Sequence, residues 1–145
     1  MSEPNLLTKR VLGLAAAKAM TEAAEKAATA AGVSVVIAVV DDGANLLFLE
    51  RMEGAPIGSL EVALRKAKSA ALFKTETKAF EAGLASGASA LLSLDLVAFE
   101  GGIPAFVNGQ VAGAIGVSGG TASQDGEIAR KGIGAISIAV GGGAA

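Results

Sequence analysis

The chain has 145 residues, no His, Cys or Tyr, and a formal net charge of -2. This length fits one domain with a sizeable core, and the 52% content of hydrophobic residues indicates that part of the surface is covered in a homo-oligomer. The weak charge and the 3% aromatic content argue against nucleic-acid binding, which needs a basic field and stacking platforms. Without His, the commonest general base and metal ligand near neutral pH is missing.

The distribution of apolar residues bears on location. No apolar run reaches the roughly 20 residues of a membrane-spanning helix. The polar stretch MSEPNLLTKR is not followed by a signal-peptide core and cleavage site. We therefore expect a cytoplasmic protein with no membrane partner.

The first third of the chain predicts a helix and then a β-hairpin. Residues from about Asn5 to Ala31 are rich in Ala with apolar positions at helical spacing, and Gly32 is a stop signal. The β-branched run Val33 to Val40 predicts a strand covered on both faces, and so a central one. Asp41-Asp42-Gly43 is a turn sequence before a second strand over Ala44 to Glu50.

The middle of the chain predicts helices. After a Gly- and Pro-containing loop, Ser59 is a suitable N-cap for a helix with one apolar stripe. Lys74 to Ala82 predicts another short helix, and the small residues of Gly83 to Ser93 predict mixed loop and helix. Asp95 to Glu100 is a candidate strand.

The most informative stretch is GGIPAFVNGQVAGAIGVSGG, Gly101 to Gly120. Asn108-Gly109 between apolar runs favours the positive φ angles of a type I′ turn, so Ile103 to Val107 and Gln110 to Val117 should pair as strands. The second strand leaves through several glycines, where another backbone or a ligand can approach closely.

A final helix should follow. Thr121 or Ser123 is its expected cap and Ile136 its approximate end, although Gly132 and Gly134 weaken its second half. Two hairpins with helices between and outside them predict an α+β fold, with an antiparallel sheet on which the helices pack.

The glycine-rich strand exit contains a G-x-S-x-G motif, Gly116 to Gly120, in the strand-to-helix context of a nucleophile elbow. A Ser-His-acid triad is impossible without His, which favours a backbone role for these glycines. The free N–H groups of such a turn also attract anions, but Asp125 and Glu127 in the next helix would repel one.

Several charged residues flank the predicted strand ends and glycine loops. They are Asp41, Asp42, Arg51, Glu53, Lys66, Glu100 and Asp125. A solvated surface explains them, and so does a site in which Arg51 or Lys66 orients a small anionic ligand. No loop pattern typical of a hard-cation site occurs, so no metal site is predicted.

A series of short motifs carries a family resemblance. They are VVDDGA at 39–44, RMEGA at 51–55, RKAKSA at 65–70, GGIP at 101–104, NG at 108–109 and GAIGVSGG at 113–120, followed by Asp125. In this order they resemble the GlcG/HbpS family, which is similar to the C-terminal domain of PduO-type proteins. The match runs from about Leu6 to Gly132, and residues 1–145 are then one GlcG/HbpS-like domain.

The resemblance implies a profilin-like α+β fold with an antiparallel sheet of about five strands and flanking helices. It also implies homo-oligomers, from dimers to octamers, and binding of haem or a related small molecule in some members. Haem iron is usually held by His, Cys, Tyr or Met, and here Met1, Met20 and Met52 alone offer such a donor. The cofactor is left unknown, with haem as a candidate.

One functional hypothesis is a homo-oligomeric protein that binds a small organic ligand. Its pocket would be formed by Arg51, Lys66 and the strand exit, with Gly116, Ser118 and Gly119 as contact residues. A structural or accessory subunit without a ligand is a further alternative.

The other hypothesis is a cofactor-independent enzyme of isomerase, lyase or hydrolase type acting on a small organic acid. Arg51 or Lys66 would bind the carboxylate, and Glu53 or Asp125 would move a proton as acid or base. The sequence does not decide whether the protein is an enzyme.

Overall fold

The computed structural model describes residues 5–143, with side chains described to residue 136. The helices are α1 Leu14–Ala31, α2 Ser59–Phe73, α3 Thr77–Ala85 and α4 Ala122–Gly143, with a 3-10 helix at Ser89–Ser93. The strands are β1 Val36–Asp41, β2 Leu46–Arg51, β3 Gly102–Val107 and β4 Gln110–Ser118. The predicted helices around α2 and α3 and the mixed segment after them are therefore confirmed within a few residues.

The four strands form one antiparallel sheet in the order β2-β1-β4-β3. The continuously apolar strand β1 is central, as predicted, and its residues Val36 to Val40 are fully buried. Helices α1 and α4 cover one face of the sheet, and α2 covers the other. The sheet therefore buries side chains on both faces, which is why β1 does not alternate apolar and polar residues.

The hairpin of β3 and β4 has the predicted turn. Asn108 and Gly109 have φ angles of 51° and 77°, the two positive values that a type I′ turn requires. The pairing shifts register between Ala105 and Phe106, so Ala112 is an extra residue in β4. Its carbonyl accepts a hydrogen bond of 2.9 Å from the N–H of Leu12.

That hydrogen bond explains why the first helix is shorter than predicted. α1 begins at Leu14, with Gly13 as an extended N-cap, and not at Asn5. A glycine weakens a helix interior, and the Leu12 N–H bonds to the sheet, so residues 5–12 follow the hairpin instead of extending the helix. The predicted stop is confirmed, because Gly32 adopts the left-handed conformation with φ 72°.

The candidate strand Asp95 to Glu100 is not a strand, and the described residues form four strands where about five were expected. The N–H of Val97 bonds to Ser69 Oγ on α2, and the N–H of Glu100 bonds to Glu81 Oε1 on α3. Because helix side chains satisfy these donors, the segment runs alongside the helices and does not join the sheet.

Helix α4 begins as predicted and extends past Ile136. Thr121 Oγ1 accepts the Gln124 N–H and Gln124 Oε1 accepts the Thr121 N–H, which is a capping box. A Cβ at Gly132 would lie 2.5 Å from Ile115 Cδ1 and 3.1 Å from the Met20 carbonyl oxygen. Gly132 therefore allows α4 to pack closely on α1 and β4, which offsets its low helix propensity.

Candidate functional site

The glycines of β3 and β4 make room for helix α2. Gly116 faces α2, and a Cβ there would lie 2.1 Å from the Ala63 carbonyl oxygen and 2.5 Å from the Ala67 nitrogen. Gly102 lies opposite Gly116 in the neighbouring strand, and its Cβ would be 2.4 Å from the Lys66 carbonyl oxygen. The backbone of α2 thus rests directly on these strands at both glycines.

Lys66 and Asp125 form a buried ion pair, with both side chains 3% exposed. Lys66 Nζ donates to Asp125 Oδ2 at 3.1 Å and to the Val117 carbonyl at 2.9 Å, and Asp125 Oδ1 accepts the Gly120 N–H at 2.8 Å. The pair therefore joins α2, the end of β4 and the start of α4. Burial raises the pKa of Asp125, which the positive charge of Lys66 opposes.

Ser118 and Gly119 lie at the end of β4 beside β1. Ser118 is buried and pairs with Val36. Gly119 has a φ of 141°, and a Cβ there would be 2.7 Å from the Ser34 carbonyl oxygen. Both residues are therefore placed by contact with β1 and the chain that precedes it.

Arg51 and Glu53 lie apart from this cluster, at the end of β2 and in the loop that follows. Both are exposed, and neither makes an ion pair with another residue that the structure describes. Of the predicted site residues, the structure brings together Lys66, Asp125 and the strand exit. The binding and catalytic roles assigned to these residues stay predictions.

A second polar cluster, centred on Arg130 of α4, was not found from the sequence. Arg130 Nη2 lies 3.0 Å from Glu100 Oε2 and 3.0 Å from Glu127 Oε1, and its Nη1 lies 3.7 Å from Glu76 Oε1. The i, i+3 spacing of Glu127 and Arg130 was the one available signal. This cluster ties α4 to α3 and to the chain before β3.

An apolar cavity of about 330 Å³ lies on the α1 and α4 side of the molecule. Its described lining residues are Arg10, Val11, Leu12, Ala16, Ala19, Val107, Ala112, Ala135 and Ile136. The four alanines leave space between α1, α4 and the β3–β4 hairpin, and Arg10 supplies a cationic group at the exposed rim. Sequence reasoning missed this site because it placed residues 5–13 in a helix.

A second cavity, of about 530 Å³, lies beside the 3-10 helix. Its lining is formed mostly by the irregular chain 91–99, together with Arg65 and Glu81. Leu92 and Phe99 on this segment are largely exposed, and the guanidinium of Arg65 lies 3.3 Å from Asp95. In this cavity, therefore, the cation already has a carboxylate partner.

Two further observations concern metals and membranes. In residues 5–143 no three His, Cys, Asp or Glu side chains are grouped as a metal site would require. Over the same residues, no helix combines the length and apolar character needed to cross a bilayer.

Known proteins share this architecture. The chain matches the family described as "Haem degrading protein HbpS-like" over residues 12–134. It is 42% identical to protein GlcG of Escherichia coli strain K12 over 113 residues, which cover 77% of this chain and 84% of GlcG. It is similar in structure to Klebsiella pneumoniae protein ORFY, with a TM-score of 0.87 and 36% identity over 94% of this chain and 98% of ORFY.

A solved PduOC:heme complex is also similar, with a TM-score of 0.78 and 31% identity over 86% of this chain and 94% of that one. The protein has a mixed helix-and-sheet fold built on a four-stranded antiparallel sheet, with an apolar cavity beside it. The chain belongs to the HbpS-like family. The GlcG/HbpS resemblance of its motifs is thereby confirmed.

Proposed function

We propose that this protein is a homo-oligomeric binding protein for a small organic ligand that has an apolar body and an acidic group. Haem is one candidate for that ligand. Membership of the HbpS-like family and similarity to a PduOC:heme complex support binding of haem or another small molecule. The cytoplasmic location and the single domain over residues 1–145 stay predictions.

The observation that carries this proposal is the cavity of about 330 Å³ between α1, α4 and the β3–β4 hairpin. Ligand sites are concave and mostly apolar, with few polar groups and volumes from about 300 to 1,000 Å³. The cavity is at the lower end of that range and is lined by apolar side chains except for Arg10. A carboxylate on the ligand would accept hydrogen bonds from this guanidinium.

The donor set of the chain does not fit ligation of haem iron. The sequence contains no His, Cys or Tyr. Met20 is fully buried in the core, Met52 is half-buried beyond the end of β2, and neither lines the cavity. Met1 lies outside the described residues. We therefore assign binding to apolar contacts and to Arg10, and no step to the iron.

Titration with haemin and with iron-free protoporphyrin IX tests the proposal. Because none of the described lining residues is a usual iron ligand, both compounds should bind with similar affinity. Binding is measured from the Soret band of haemin and from the fluorescence of protoporphyrin. Arg10→Ala should weaken both by about tenfold, through loss of a charge-assisted hydrogen bond. Ala19→Phe should block both by filling the cavity.

The matched control is Arg65→Ala, which removes the same side chain from the rim of the second cavity and should leave both affinities unchanged. Arg51→Ala examines the site predicted from the sequence in the same assay. Equal losses in Arg10→Ala and Arg65→Ala would contradict the assigned cavity. A failure of both porphyrins to bind would remove haem as the ligand.

The enzyme hypothesis has less support. Lys66 and Asp125 neutralise each other in a buried pair and line neither cavity described above. Arg51 and Glu53 are exposed to solvent and also line neither of these two cavities. We therefore propose binding and not catalysis.

A further inference from the structure

The two edges of the sheet are treated differently. On the β3 edge, five of the six residues are buried, and Pro104 interrupts the row of backbone donors. On the β2 edge, none of the six residues is buried. Natural proteins usually cover or block an edge strand, because its free N–H and C=O groups accept another strand. Among the described residues, burial and proline protect the β3 edge, whereas β2 has neither and carries only a one-residue bulge at Leu47.

The pairing of β1 with β2 shows which backbone groups are free. The Met52 N–H bonds to the Val35 carbonyl, and residues of an antiparallel pair alternate between bonded and non-bonded positions. Glu50 and Phe48 therefore bond to β1, whereas the N–H and C=O of Leu49 and Arg51 point away from it. These outward groups form the template for one more strand.

The sequence of β2, LLFLER, determines which strand fits. It begins with four apolar residues, contains no Pro or Lys, and carries its two charges at its C-terminal end. A parallel copy would place Glu50 beside Glu50 and Arg51 beside Arg51, and like charges directly opposite each other are destabilising. An antiparallel copy centred on Phe48 or Leu49 separates these charges and places apolar residues together.

We propose that β2 is the surface at which a second copy of this chain binds, by antiparallel pairing of the two β2 strands across a two-fold axis. The two four-stranded sheets then form one continuous sheet of eight strands. A two-fold interface uses the same patch on both copies, and this strand is self-complementary in that sense. The inference rests on the homo-oligomer of the proposed function and names its surface.

Backbone amide exchange resolved by residue tests this directly, together with the mass in solution from light scattering. In the dimer, the amides of Leu49 and Arg51 should be as protected as those of Phe48 and Glu50. On dilution to the monomer, Leu49 and Arg51 should exchange at least about tenfold faster, while Phe48 and Glu50 stay protected by β1.

Arg51→Pro removes one outward N–H and no bond to β1, and an edge strand tolerates proline at such a position. It should weaken dimerisation by about tenfold or more, whereas the matched control Arg51→Ala keeps the N–H and should still dimerise. The retained protection of Phe48 shows that the proline variant is folded.

Three results would overturn the inference. They are a monomeric mass at all concentrations, rapid exchange of the Leu49 and Arg51 amides in an assembly of proven dimer mass, and equal dimerisation of the two Arg51 variants. Porphyrin titration tests the ligand proposal independently of dimerisation. A β2-paired dimer that binds no porphyrin would contradict the ligand proposal and leave this inference intact.

Discussion

The two faces of the sheet are packed in different ways. On the α2 face, the core consists of Val36, Ala38, Val40 and Ala114 against the alanines of the helix, and glycines let the helix backbone touch the strands. On the α1 and α4 face, large side chains such as Met20 fill the core. Between α2 and the strands the packing is closed at Gly102 and Gly116, whereas the α1 and α4 face leaves an apolar cavity beside the β3–β4 hairpin.

The difference shows that a glycine-rich strand is not in itself a sign of a ligand site. At Gly116 and Gly102 the backbone of α2 lies where a Cβ would be, so helix packing accounts for both glycines. At the cavity, the space is bordered by small alanine side chains of α1, α4 and β4. Space for a ligand therefore depends on what packs opposite a small residue.

The largest expected effect on stability concerns the buried ion pair of Lys66 and Asp125, which joins α2 on one face of the sheet to α4 on the other. Lys66→Met leaves Asp125 buried without its cation and should lower the free energy of unfolding by about 3–5 kcal/mol in urea titrations at pH 7. The deficit should shrink as the pH falls, because the pKa of Asp125, already raised by burial, rises further without Lys66 and the carboxyl then becomes neutral.

Two comparisons sharpen this test. The control Lys26→Met breaks an exposed pair with Glu22 and should cost less than about 1 kcal/mol. The double variant Lys66→Met with Asp125→Leu should recover most of the stability, because a well-packed apolar pair can replace a buried ion pair. If Lys66→Met costs no more than Lys26→Met, the two faces are not coupled through this pair.

The next effect tests the closed face itself. Gly116→Ala places a Cβ 2.1 Å from the Ala63 carbonyl oxygen, so α2 must move, and the variant should lose about 1–3 kcal/mol or more in the same titrations. The control is Gly58→Ala, because Gly58 has a helical φ of -62° and open space around its Cβ position. It should be neutral or slightly stabilising. A stable Gly116→Ala variant would mean that α2 does not rest on the sheet.

The smallest expected effect on stability concerns Glu50, a residue of the edge strand β2 that lies near Glu25 of α1. Glu50 Oε2 is buried and has no hydrogen-bond partner among the described residues, and burial and then Glu25 raise the pKa of Glu50. The folded state therefore binds a proton at the Glu50 carboxyl more tightly than the unfolded state does. The stability that this proton contributes is present below the ordinary value of 4.5 and is lost as the pH rises through the raised pKa.

Glu50→Gln should therefore raise stability at pH 7, by less than about 1 kcal/mol because the side chain is still partly exposed and solvent screens its charge, and should flatten the decline between pH 4 and pH 7. Thermal melting across this pH range measures both effects. Glu22→Gln, at an exposed position of the same helix as Glu25, should leave the decline unchanged. An unaltered decline in Glu50→Gln would assign it to another group.

The predictions from sequence succeeded where the signal is local. Asn108-Gly109 specifies its turn through the backbone angles of two residues, and Thr121 specifies a helix start through a hydrogen bond within one turn. They failed where a distant group decides the outcome. Gly13 begins a helix because Leu12 bonds to Ala112, and residues 95–100 avoid the sheet because Ser69 and Glu81 satisfy their donors.

The same distinction applies to the candidate site. Lys66 and Asp125 were singled out as charged residues near the glycine loops, but their pairing joins positions 59 residues apart. The cavity beside Arg10 has no motif, because its walls come from four separate segments of the chain.

The sequence by itself determined the class of fold, the family and the central strand, because apolar periodicity, turn residues and short motifs act through neighbours along the chain. Tertiary structure alone decided that α2 packs on the glycines, that Lys66 forms an ion pair with Asp125, and where a cavity remains. Those outcomes depend on the close packing of side chains and backbone that meet only after folding, at distances of a few ångströms.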